Sequence, residues 1–137
     1  MLKYENEVKN IPSCPPVSCG EAEHACVRYV FAGDPSRSFL PVLAVKPERA
    51  LTMDDVNRCD SWALSFFESA EKARDLFERI RKNSKNIHKK LGDSLARGEI
   101  ARSDGLCGDV DGDGHFSLYE YESARLSEKF VTFESLI

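Results

Sequence analysis

Nothing in this chain approaches the roughly 20 consecutive apolar residues that a membrane-spanning helix requires, so no membrane role is expected. Internal repeats and low-complexity tracts are also missing, which sets aside repeat architectures and compositional linkers. No Cys-x-x-Cys pair occurs, so the familiar zinc knuckles are absent. There is no surplus of basic residues either. The formal net charge is -4, which argues against a general affinity for nucleic acid. The opening residues, Met1 to Glu7, are charged and lack an apolar stretch behind them, unlike a secretory signal. With five cysteines, an odd number, the thiols are expected to be reduced and the chain to work in the cytoplasm.

What is present describes an ordinary folded domain. The 137 residues are 42% hydrophobic and 31% charged, enough to bury a core without staples. Residues 1 to 22 hold Pro12, Pro15 and Pro16 and read as an irregular arm, because closely spaced prolines forbid a helix. Residues 23 to 137 read as a single α+β domain. Cys26 to Phe31 are β-formers followed by the turn signal Gly33-Asp34-Pro35-Ser36. Phe39 to Val45 reads as a second strand, with Pro41 at its start or on an edge. Ser69 is a good N-cap, and Ala73, Leu76, Phe77, Ile80, Ile87 and Leu91 then recur at helical spacing. This predicts one long amphipathic helix, with a break near Asn83-Ser84 and a stop at Gly92. Leu95 to Ile100 forms another short element, and residues 116 to 133 fit strand or helix equally.

The most specific pattern runs from Asp109 to Glu120. Asp109, Asp111 and Asp113 stand first, third and fifth, with Gly114 sixth, His115 seventh, Ser117 ninth and Glu120 twelfth. The stretch resembles the calcium-binding loop of the EF-hand family. That resemblance implies Ca2+ held by the carboxylates of Asp109, Asp111, Asp113 and Glu120, by the His115 carbonyl, and by Ser117 directly or through water. Gly114 would provide the bend, and Phe116 would seek a second loop. The likeness covers these residues only. Gly105 and Gly108 stand where an EF-hand has its entering helix, and no second loop exists. The expected role is therefore structural or interactive rather than sensory, with a protein partner or homodimer covering Phe116.

Three other groupings carry chemistry. Cys14, Cys19, His24 and Cys26 supply four soft ligands at spacings that match no common zinc module. Arg79, Arg81, Lys82, Lys85, Lys89 and Lys90 form a basic run without an acid. As a basic helix over residues 79 to 90 it would dock an accessory subunit onto an acidic partner. Finally, Arg28 in a strand, Ser65 in a strand leading to a helix, and Glu120-Tyr121-Glu122 are similar in order to the ADP-ribosyltransferase fold. That resemblance implies a dinucleotide held by Arg28 and Ser65, with Glu122 supporting transfer.

Overall fold

The run His24–Val30 forms β1, and its residues are buried on both sides of the strand. A continuous apolar run of this length needs cover on two faces, and the computed structural model, which describes all 137 residues, provides it. Before β1, the arm holds a single helical turn, α1 (Glu5–Val8). Between β1 and the next strand come α2 (Val42–Val45) and α3 (Asp55–Asp60). The strand β2 (Leu64–Phe67) leads into the longest helix, α4 (Ala70–Arg81). After it come β3 (Ser94–Ile100), β4 (Gly105–Cys107), β5 (His115–Glu120) and β6 (Val131–Ser135). These make one six-stranded sheet in the order β4-β5-β2-β1-β3-β6, in which every neighbouring pair is antiparallel. The α+β class holds.

Side chains alternate across a strand, and the sheet divides its apolar residues accordingly. One face joins Cys26, Val30, Leu64, Phe66, Ala96, Ile100, Phe116 and Leu118 with Leu126 and Phe130. On the opposite face α4 lies over Val27, Tyr29, Phe67 and Leu95 through Ala73 and Phe77. A separate cluster there joins Leu2, Val8 and Ile11 of the arm to Cys59, Ala63 and Tyr119. Ser69 caps α4 by accepting from the Lys72 amide at 3.2 Å, and Tyr29 donates to the Ala73 carbonyl at 2.6 Å. The helix ends at Arg81, and a 3-10 turn at Ile87–Lys89 returns Ile87 to the core.

Several expectations are corrected. Residues 39 to 45 are not a strand: a 3-10 turn (Arg37–Phe39) leads through Leu40 and Pro41 into α2. Pro41, at φ -68, has no amide to offer a ladder and is suited to entering a helical turn. Residues 82 to 90 leave the helix, so the basic run presents no single helical face. Phe116 is 1% exposed and packs against Phe66 and His24, so it offers nothing to a second loop. The thiols are not all reduced, because Cys14 and Cys59 form a disulfide.

That bond spans 45 positions and ties the arm to α3. Closing so long a loop restricts the unfolded chain, which contributes about 2 to 4 kcal/mol. The Cys14→Ser/Cys59→Ser variant is expected to lose that amount in urea denaturation, and the parent to lose the same amount under reductant.

Candidate functional site

The site begins with a gap in the sheet. β1 and β2 are in register only at Val27↔Phe67, so the Ser65 carbonyl has no ladder partner on β1. Arg28 takes that role. Its guanidinium donates to the Ser65 carbonyl at 2.8 Å and to the Ser38 carbonyl at 3.0 and 2.7 Å. It lies 5.3 Å from the ring centres of both Phe39 and Phe66. The residue keeps some surface exposure, but its charged end is enclosed. Burial lowers its pKa to about 10, so it stays charged at neutral pH.

Beside this gap opens a cavity of about 170 Å3. Of its 16 lining residues, Arg28, Arg37, Lys46, Arg49, Lys89 and Lys90 are cationic and none is acidic. Leu40, Pro41, Val42, Val45, Leu64 and Leu91 provide apolar wall. The ion pairs in the molecule engage Lys3, Arg58, Arg74, Arg79, Arg81, His115 and Lys129. None of the six pocket cations makes a direct ion pair with a carboxylate, although Glu120 supports the enclosed Arg28 charge from a distance. Arg37 stacks 4.0 Å above the Phe31 ring, which holds it in the wall. An acidic chain thus concentrates unpaired positive charge in one concavity, which is an anion site in electrostatic terms.

Ser65 also lines this cavity. It shares a sheet face with residues of β5, because Ser65 pairs with Ser117 and Phe67 with His115. The Ser65 hydroxyl lies 2.9 Å from His115 Nε2, and His115 Nδ1 lies 3.5 Å from Asp111 Oδ2. The other Asp111 oxygen accepts from the amides of Asp113 at 2.9 Å and His115 at 3.0 Å. No local motif announces this row. Only the register of β2 on β5 brings residues 50 positions apart together.

The calcium pattern takes a different form from the loop it resembles. Asp109 to Gly114 is a turn, and His115 to Glu120 is the strand β5. Gly114 has φ +73, and a Cβ there would stand 2.9 Å from Lys72, so the bend does need glycine. Asp113 is paired with Arg79. The His115 carbonyl accepts from the Asp111 amide, and Ser117 faces Ser65. Glu120 is 5% exposed at the far end of β5 and pairs with Lys3 at 2.9 Å. No three of the histidine, cysteine, aspartate or glutamate side chains are gathered as a metal shell. The zinc grouping is likewise dispersed. Cys14 is in the disulfide, His24 stacks on Phe116, and burial pushes the Cys26 thiol up to about 12.

Of the residues suggested by the ADP-ribosyltransferase resemblance, Arg28 and Ser65 meet in one pocket. Glu122 does not join them. It lies exposed in the turn that follows β5, five residues past the partner of Ser65. Lys89 and Lys90 of the basic run line the pocket, whereas Arg79 and Arg81 pair with Asp113 and Glu78. Comparison with protein-family models, curated proteins and solved structures gave no match.

Two outcomes are expected. Arg28→Ala strands the Ser65 and Ser38 carbonyls and empties the space between two rings, costing about 2 to 4 kcal/mol in denaturant unfolding. Burial, opposed by Lys3, holds the Glu120 carboxyl above its ordinary value of 4.5. The folded chain therefore binds that proton more tightly than the unfolded chain. The stability from this group is complete below about pH 4.5 and is lost as pH rises through the raised value. Glu120→Gln removes the loss, although it also gives up the Lys3 contact to a carboxylate that is itself buried. Its urea midpoint should therefore gain on the parent as pH rises from 4.5.

Proposed function

We propose that the protein binds a phosphate-bearing small molecule of the nucleotide class in the pocket bounded by Arg28, Arg37, Lys46 and Ser65. The observation that carries this reading is the lining itself, with six cations, no carboxylate and no internal ion pair to satisfy them. Guanidinium forks at Arg37 and Arg49 suit phosphate oxygens, while Leu40, Val42 and Val45 suit the face of a base or sugar. The cavity is smaller than the roughly 300 to 1,000 Å3 that encloses a drug-sized ligand. The phosphate end would sit inside and the remainder along the rim. The juxtaposition of Arg28 and Ser65 supports the same class, since the resemblance to ADP-ribosyltransferases implies a dinucleotide there. Transfer through Glu122 is not part of this proposal. As to compartment, the Cys14–Cys59 bond favours an oxidising environment over a reducing cytoplasm.

Titration calorimetry with ADP and with pyrophosphate tests the proposal. One equivalent should bind, and binding should weaken as salt is raised. Arg37→Ala and Lys46→Ala should each weaken it about tenfold, the worth of one charge-assisted contact. Absence of heat at millimolar ligand, or affinity unchanged in both variants, would refute it.

A further inference from the structure

We propose that Ser65 is a nucleophile with His115 as its general base and Asp111 positioning His115, and that the chain hydrolyses esters of anionic small molecules seated in the cationic pocket. The substrate class rests on the pocket reading above; the relay rests on its own geometry. In this relay His115 carries its proton on Nδ1, facing the Asp111 carboxylate, which can only accept. Nε2 is then the bare nitrogen, and the Ser65 hydroxyl 2.9 Å away donates to it. The Asp111 carboxylate is itself fixed by two backbone amides, and the loop behind it is anchored by the Arg79–Asp113 pair. The 3.5 Å between Asp111 and His115 is in the range of a ligand-free relay that tightens around substrate.

The same three side-chain types in the same order perform acyl transfer on unrelated folds. Here Ser65 and His115 sit on the neighbouring strands β2 and β5 and Asp111 in the loop leading into β5, with Ser65 also in the wall of the pocket. In the first step the Ser65 oxygen bonds to the ester carbonyl carbon as its proton passes to His115 Nε2. The Arg28 guanidinium, held on the Ser65 main-chain carbonyl, places a positive charge near the residue on which the oxyanion forms. The carbon–oxygen bond to the leaving alcohol then breaks, and that alcohol takes the proton from His115. Water, deprotonated in turn by His115, attacks the acyl-serine. This releases the acid and returns the proton to Ser65.

The test is an uncharged fluorophosphonate, followed by intact and peptide-level mass spectrometry. Ser65 attack forms an oxygen–phosphorus bond and expels fluoride, its proton leaving through His115. One adduct on Ser65 is expected, absent in Ser65→Ala and slowed at least a hundredfold in His115→Gln. Both substitutions are at positions outside the buried core, and each variant is checked for an unchanged melting temperature. For the positioning role of Asp111, nitrogen NMR of His115 should show an Nδ1-protonated ring in the parent and a shift toward the other tautomer in Asp111→Ala. No adduct, an adduct elsewhere, or equal rates in parent and His115→Gln would overturn the relay. An adduct without ADP binding would leave the relay standing and remove the anionic substrate class. ADP binding without an adduct would do the reverse.

Discussion

The arrangement around the pocket depends on one buried guanidinium. β1 and β2 separate after a single in-register pair, leaving the Ser65 carbonyl without a ladder partner at the edge of the cavity. A buried carbonyl left unpaired costs about 1 to 3 kcal/mol; the planar fork of Arg28 removes that cost at the buried Ser38 and partners the Ser65 carbonyl as well. Ser38 is 2% exposed, and its hydroxyl accepts from the Phe31 amide. The fork thereby fixes the whole segment that follows β1. Arg37 and the turn into α2 are placed by this contact, so the cationic wall is a consequence of how one strand gap is filled.

The second constraint is the way two apolar clusters share a sheet face. Phe67 belongs to the cluster under α4, and Tyr119 belongs to the cluster under the arm. Ser65, His115 and Ser117 lie between them on β2 and β5. Neither cluster reaches across, so the seam stays polar and partly open. Hydroxyls and an imidazole can meet there without the desolvation cost of a full burial.

Local chemistry was readable where one interaction decided the outcome. The Ser69 cap, the apolar spacing of Ala73 and Phe77, and the β-forming run of β1 each appear as expected. Pro41 was misleading because an extended strand and a helix entry both accept its fixed φ. The Asp109–Glu120 pattern hid a period of two: Phe116, Leu118 and Glu120 turn to one face while His115, Ser117 and Tyr119 turn to the other. Alternating aspartates satisfied a calcium template, whereas the strand half of the stretch satisfied a sheet. Arg28 and Ser65 were legible as a pair, but their link to His115 and Asp111 was not. That link is a matter of strand register, which depends on contacts between residues far apart in sequence. The disulfide was equally unreadable, since spacing alone does not choose a partner among five thiols.

The disulfide also shapes the pocket in a further way. Arg28, Arg37, Lys46 and Arg49 all lie between Cys14 and Cys59, inside the covalent ring that the bond closes. Ser65, Lys89 and Lys90 lie outside it. The concavity is therefore assembled between a closed loop and the open remainder of the chain, like a hoop leaning on a post. A single backbone cleavage anywhere along the hoop would leave both cut ends tethered to the same body, so such a nick would not shed either wall.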